Sequence, residues 1–346
     1  MSKQEVIICR SLQEDLERAL DAHAYDKLFI LTDEHTRRLC LPLVGSSERI
    51  RQAVPICIGA GDIHKNLDTL AHVWTALSNQ GATRHSLLIN LGGGMVTDLG
   101  GFAAATFKRG FAYINIPTTL LSMVDAAVGG KTGINFNGLK NEIGAFAPAS
   151  SVLIDCQFLK TLDRQNLLSG YAEMLKHGLI SEEGHWADHP DYGKLQQLVG
   201  ESVQIKERIV AQDPFEQGIR KALNLGHTIG HAFESFALER EAPVLHGYAV
   251  AWGMVCELYL AHQKTGFPQD RMRQVIQFIK ENYGKLAFNC RDYDRLYEFM
   301  KHDKKNAAAG MINFTLLEGI GDIRINQTAT KEEINEALDF YCETMG

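Results

Sequence analysis

The sequence lacks an excess of basic residues: 35 Lys and Arg stand against 42 Asp and Glu, a formal net charge of −7. A balance of that sign draws neither nucleic acid nor an anionic membrane, so an anionic ligand has to be met by locally clustered bases. A long hydrophobic run is missing too. The opening residues, Met1 to Leu20, interrupt their apolar run with charges, which excludes a signal-peptide core, and no later stretch reaches membrane-spanning length. The expectation is a cytoplasmic protein with no membrane or nucleic-acid partner. The seven cysteines (Cys9, Cys40, Cys57, Cys156, Cys256, Cys290, Cys342) are odd in number, scattered and without C-x-x-C spacing, so they read as reduced thiols rather than a disulfide framework or zinc ribbon. Internal repeats and low-complexity linkers are also absent.

What remains is 346 residues, 45% of them hydrophobic, enough to bury a sizeable core and to make two domains. In the first half, short apolar runs (Lys27 to Thr32, Val54 to Gly59, His85 to Leu91, Phe111 to Pro117) alternate with helical spacing, as in Leu67, Leu70, Ala71, Trp74 and Leu77. Strand–helix–strand units of this kind predict a mostly parallel α/β sheet over residues 1–160. Beyond residue 160 the segments Leu167 to Leu179, Leu195 to Ala211, Lys221 to Leu238, Ala249 to Thr265 and Arg271 to Asn282 are helix-periodic. A strand pair, Met311 to Leu317 and Gly321 to Ile325, precedes a closing helix after Thr330. The expected second domain, 161–346, is therefore helical, with the site in the cleft between the two.

Two glycine runs bear on ligands. Leu88 to Phe107 reads as a buried strand, three glycines (Gly92, Gly93, Gly94) and a helix, an arrangement that offers free N–H groups to a pyrophosphate, although the spacing is not G-x-G-x-x-G. Val128-Gly-Gly-Lys-Thr-Gly133 fails the Walker pattern, because Asp125 stands where its first glycine belongs. It reads as a flexible loop displaying Lys131, and with Lys140 and Asn141 it supplies cations and an amide for a phosphate.

In Asn224 to Ser235, His227 and His231 lie four residues apart on one helix face, the geometry of a two-histidine half-site, but Thr228 occupies the place of the glutamate that a zinc protease needs. Glu173, His177 and His246 are further donors, and spacing alone does not choose three among the five. Lys176, Lys206, Arg220 and Asn224 surround them. Arg220, Asn224, His227 and His231 recur at helical spacing, and so polar a face inside an apolar bundle is costly unless a ligand or ion satisfies it.

At this point the chain resembles the dehydroquinate synthase family of sugar phosphate cyclases. The resemblance rests on the blocks Gly92 to Asp98, Pro117 to Asp125, Gly129 to Asn135, Lys140 to Phe146, Ala172 to Lys176, Leu223 to Ala232, Leu245 to Gly247 and Asp303 to Lys305. It implies a Rossmann-like α/β N-terminal domain that binds NAD, and an all-α C-terminal domain that binds zinc, or cobalt, together with the substrate. By that resemblance Glu173, His227 and His246 are the metal ligands. Asp62, Lys65, Gly93, Gly94, Met95, Asp98, Thr118, Thr119, Lys131, Lys140, Phe158, Thr161 and Leu162 bind the cofactor. The catalytic set is Asp125, Lys131, Lys176, Lys206, Arg220, Asn224, His231 and Lys305, with Lys140, Asn141 and a homodimer partner's Arg109 also meeting substrate. Lys206 and Arg220 read a carboxylate, and most of the others a phosphate.

The implied reaction converts 3-deoxy-arabino-heptulosonate 7-phosphate to 3-dehydroquinate and phosphate in the shikimate pathway, through transient oxidation, elimination, reduction and aldol closure. Departures from the family pattern are Asp62 in place of Glu, the loop Phe136 to Leu139, Pro214 and Tyr248. The rival readings are another sugar phosphate cyclase, against which the Lys206/Arg220 pair speaks, a metal-dependent polyol dehydrogenase, against which Glu173 speaks, and a non-catalytic metal- and NAD-binding protein.

Overall fold

The computed structural model describes residues 4–137, 139–181, 194–301 and 311–346. Two compact units divide the chain, Met1–Asp163 and Arg164–Gly346.

In the first unit the elements in chain order are β1 (Glu5–Ile8), α1 (Leu12–Asp21), β2 (Leu28–Asp33), α2 (Glu34–Leu39), α3 (Leu41–Val44), α4 (Glu48–Gln52), β3 (Val54–Ile58), α5 (Leu67–Asn79), β4 (Leu87–Gly92), α6 (Gly94–Thr106), β5 (Ala112–Pro117), β6 (Lys131–Phe136), β7 (Leu139–Phe146) and β8 (Ser151–Ile154). Six strands pair in parallel in the order β1-β8-β5-β4-β2-β3. Strands β2 and β4 are continuous apolar runs because a strand buried on both faces has no solvent side to alternate with. Their register, Leu28 against Leu87 through Leu31 against Asn90, brings the carboxyl ends of the central strands level, where an open α/β sheet binds its ligands. The helix after β2 is set by a reciprocal cap: Asp33 accepts from Thr36 N–H, and the Thr36 hydroxyl accepts from Asp33 N–H.

Four of these strands have no counterpart in the sequence pattern: β1, β8 and the antiparallel pair β6/β7. Lys131, expected on a flexible loop, begins β6, whose Thr132, Gly133 and Ile134 are buried under α6. Polar positions at both ends of the strand had masked its apolar centre.

The second unit is helical with one hairpin: α7 (Arg164–Leu179), α8 (Leu195–Gln212), α9 (His227–Glu239), α10 (His246–Thr265), α11 (Gln269–Tyr283), α12 (Tyr293–Lys301), β9 (Ile312–Gly319), β10 (Asp322–Ala329) and α13 (Lys331–Met345). Helix α10 is its axis, buried along most of its length and packed against α7, α9, α11, α13 and β9. The α/β and helical halves expected from the sequence are thus both present.

One expectation fails in a way that bears on function. Lys221 to Leu238 reads as a single helix, yet Ile219–Asn224 is a 3-10 turn, and α9 starts only at His227, after Gly226 in the left-handed region at φ 78°. Arg220 and Asn224 therefore do not share a helical face with His227 and His231. Glycine is the residue that takes a positive φ at little cost, and it breaks a periodicity that the side chains continue.

Candidate metal and nucleotide sites

In the second unit Glu173 and Lys176 stand three residues apart on α7, so their side chains meet on one face, and the Lys176 ammonium bonds Glu173 Oε2. Glu173 is fully buried and Lys176 nearly so. The other carboxylate oxygen, Oε1, has no hydrogen-bond partner. Instead it faces His227 Nε2 at 3.5 Å and His246 Nε2 at 3.4 Å. Atoms held about 2.0–2.2 Å from a tetrahedral zinc stand about 3.3–3.5 Å from each other. The spacing is too long for good hydrogen bonds and suits three ligands of one cation.

The remaining ring nitrogens are fixed. His227 Nδ1 lies 3.1 Å from the Leu225 carbonyl, and His246 Nδ1 lies 3.4 Å from Glu234 Oε2. Each contact directs Nδ1–H outward and leaves Nε2 for a metal. Burial and the neighbouring Lys176 ammonium hold the His227 pKa well below its ordinary value, so this imidazole is neutral. For His246 burial works the same way but is outweighed by the Glu173 and Glu234 carboxylates, each 3.4 Å from one of its ring nitrogens, which push it up to about 10. Burial alone would raise the Glu173 pKa, but Lys176 and the two imidazoles hold it well below the usual carboxylate range.

His231, half-buried, has its ring 5.2 Å from that of His227 and 5.8 Å from that of His246. One donor atom from each of these three histidines lies within 4.8 Å of the others, so distance alone leaves His231 a possible fourth arm. His177 Nδ1 pairs with Ser202 Oγ at 2.7 Å, and a ring nitrogen of His177 also lies within 4.8 Å of a Glu173 carboxylate oxygen. Lys206 and Arg220 are buried, on α8 and on the 3-10 turn packed against it. The Arg220 guanidinium donates to the Pro214 carbonyl, and Asp213 accepts from the Arg220 backbone N–H. Asn224 donates to Glu216 at 2.7 Å. Pro214 thus contributes a carbonyl where a side chain was expected to matter, while Tyr248 packs edge-on against Trp252 and Tyr283. Lys305 lies outside the described residues.

In the first unit the glycine turn after β4 is as expected. Gly93 caps α6 without any side-chain hydrogen bond to the first-turn N–H groups, and no acidic residue stands in that turn. Thr118 N–H bonds the Gly92 carbonyl, and a Cβ on Gly93 would come 3.0 Å from the Thr119 methyl, so the residues just after β5 line the same opening. Gly94, Met95 and Asp98 follow on α6.

The buried Lys65 ammonium is held by Asp98 Oδ2 at 2.6 Å and by Asn141 Oδ1. Asp62 accepts from Asn135 Nδ2 at 3.1 Å and pairs with Lys140 at 3.2 Å. Phe158 is wholly buried, with its carbonyl accepting from Thr161 Oγ1, and Leu162 follows that turn. Lys131 is exposed at the start of β6, and Asp125 sits in the wide turn after β5. Arg109 is exposed on a tight turn in which Lys108, Arg109 and Gly110 all have positive φ (49°, 70° and 102°).

Four residues of these constellations went unseen in the sequence. Glu234 and Glu257 are helical glutamates that nothing in the spacing distinguishes from surface charge. Asn135, the last residue of a motif block, also accepts from Asn141 N–H at 3.0 Å. Cys40 meets Thr161 and Thr118, joining two cofactor-binding candidates far apart in sequence.

Known proteins are similar to this chain in sequence and fold. The family described as 3-dehydroquinate synthase N-terminal matches residues 55–169, and that described as 3-dehydroquinate synthase C-terminal matches residues 170–306. A 3-dehydroquinate synthase of Parabacteroides distasonis is 59% identical over 100% of both chains. Among solved structures, a 2-epi-5-epi-valiolone synthase of Streptomyces hygroscopicus with NAD+ and Zn2+ bound is 28% identical, with a TM-score of 0.84 over 99% of this chain and 97% of that one. A 2-deoxy-scyllo-inosose synthase complexed with carbaglucose-6-phosphate, NAD+ and Co2+ has a TM-score of 0.83 over 97% and 95% of the two chains, and at 21% identity it speaks for the fold alone.

Proposed function

The chain belongs to the 3-dehydroquinate synthase family, and from that premise we propose that it converts 3-deoxy-arabino-heptulosonate 7-phosphate to 3-dehydroquinate and inorganic phosphate, the carbon–oxygen lyase step of the shikimate pathway. The observation that carries the reading is the buried Glu173 Oε1, flanked at ligand-to-ligand distance by two imidazole nitrogens. A lone carboxylate oxygen in an apolar bundle is costly, and a divalent cation satisfies it. Glu173, His227 and His246 would hold zinc or cobalt. The uncapped start of α6 suits a pyrophosphate in the same way. NAD would be held there by Gly93, Gly94, Met95, Asp98, Thr118 and Thr119, with Asp62, Lys65, Lys131, Lys140, Phe158, Thr161 and Leu162 around them. When bound, the cation supplies Lewis acidity to adjacent substrate hydroxyls, and NAD a hydride acceptor that is restored by the end of the cycle.

The chain's own side chains do the rest. Lys176, its ammonium against Glu173 and closed to water, holds a proton beside the ligand set, and Asp125 and His231 orient or relay protons. Lys206 and Arg220, both buried, would read the substrate carboxylate. Lys131, Asn141, Asn224, His231, Lys305 and a partner subunit's Arg109 would meet the phosphate, with Lys140 beside them. The departing phosphate takes the proton itself, which removes the need for a separate general base. A homodimer accounts for an arginine displayed on a strained, exposed turn. The net charge, and the absence among the described residues of any helix able to cross a membrane, support a cytoplasmic location.

The test is phosphate release from the heptulosonate phosphate with NAD and zinc, with no lasting NADH absorbance. Turnover only of a heptulose phosphate lacking the carboxylate would reassign the chain to another sugar phosphate cyclase.

A further inference from the structure

We propose that Glu257 is a positioning residue for the metal site: from α10 it caps α9 and thereby fixes His227, the first residue of that helix. The inference rests on the reading of His227 as a ligand. An α-helix begins with N–H groups that have no partner inside it, and a short polar side chain at its own N-cap normally accepts from them. The N-cap of α9 is Gly226, which has no side chain, and the helix start is buried, so water does not serve instead. Glu257, fully buried, fills that role from outside. Its Oε2 accepts from Gly226 N–H at 2.6 Å and its Oε1 from Ile229 N–H at 3.1 Å. A carboxylate at a helix N-terminus is favoured by the aligned peptide dipoles as well as by the hydrogen bonds.

The fold explains how a side chain of another helix reaches so far in. A Cβ on Gly253 would lie 2.1 Å from the Gly226 carbonyl oxygen and 2.6 Å from Gly230 N, so the two backbones touch where α10 crosses the start of α9. Glu257 is one turn further along α10, on the same face as Gly253. His246 is two turns back along that stripe and opens α10. One face of a single buried helix therefore presents the His246 ligand at one end and, at the other, the carboxylate that pins the backbone carrying the His227 ligand. The separation of the two imidazoles is set by this contact before any metal arrives. Only glycine serves at Gly226 because its φ is positive and a Cβ there would meet Met254 Cγ at 2.5 Å, so no local cap is possible and the distant one is needed.

The test uses full-length protein stripped of metal. Glu257→Gln keeps size and shape but faces one N–H with an NH2 group, and it should weaken zinc binding about 10- to 100-fold in competition with a chromophoric chelator, as loss of a partner behind a metal ligand does. Ile334→Ala, a core truncation on α13, controls for a purely structural effect: it should lower thermal stability and leave zinc affinity unchanged. In unmodified metal-free protein, hydrogen exchange should find the amides of Gly226 and Ile229 protected like the core. Zinc affinity of Glu257→Gln within twofold of the parent, or fast exchange of those amides, overturns the proposal. His227→Ala, measured alongside, separates the two levels of argument. If it binds zinc like the parent, the ligand assignment fails and this inference falls with it, whereas loss in His227→Ala without loss in Glu257→Gln refutes the capping role alone.

Discussion

Replacing Glu173 by Gln removes one charge and no volume, so it opens no cavity and its effects are electrostatic. In the metal-free protein the Glu173 carboxylate is the ion-pair partner of Lys176, whose side chain is 1% exposed, and it also faces His227 and His246. Breaking a buried pair from one side leaves the other charge uncompensated, a loss of about 3–5 kcal/mol. The stripped variant should accordingly unfold at markedly lower urea than the stripped parent at pH 7. The pH dependence follows from the direction of the shift. The folded-state pKa of Glu173 lies well below its ordinary value of 4.5, so its stabilisation is complete above that value and is lost as the pH falls towards the folded one. The stability gap between parent and variant should therefore be constant near neutrality and close in acid. Zinc retention on gel filtration should be lost, since a neutral amide is a poor ligand for a cation that already has two neutral imidazoles. Equal urea midpoints, or one retained zinc per chain in the variant, would refute the reasoning at its root.

Two further outcomes follow from the same geometry. His246, raised to about 10 in the metal-free site by its two carboxylates, carries a proton at pH 8 that zinc must displace, while neutral His227 has none to give. Calorimetric titration in buffers of different ionisation heat should find about one proton released per zinc, and apparent affinity climbing with pH up to that value; release of none or two would contradict the assignment. His231→Ala should retain zinc and lose turnover, and zinc loss as severe as in His227→Ala would make His231 the extra arm that its distance to the other imidazoles permits.

Much of this was legible in the residues. Apolar runs with β-branched residues named four of the six parallel strands, glycine after a strand named the turn at α6, and helical periodicity named most of the second unit. Strands β1 and β8 are only four residues each and their partner lies across the sequence, so local pattern says little of them. The break before α9 was invisible for another reason: side-chain periodicity runs through it, while the backbone passes from a 3-10 turn through extended Leu225 to left-handed Gly226.

The order of residue types along the chain was enough for the α/β-then-helical plan and for the family, because both depend on which residues occur and in what sequence. Which donors come close in space was set by tertiary structure alone: Glu173 Oε1 faces His227 and His246, and His231 stands within reach of both imidazoles. Glu173, His227 and His246 come from three helices, and their spacing depends on how closely α9 and α10 cross. Residues far apart in the chain leave no mark of that distance in its order, and Glu257 in particular reads as one more helical glutamate until its carboxylate is found against the start of another helix.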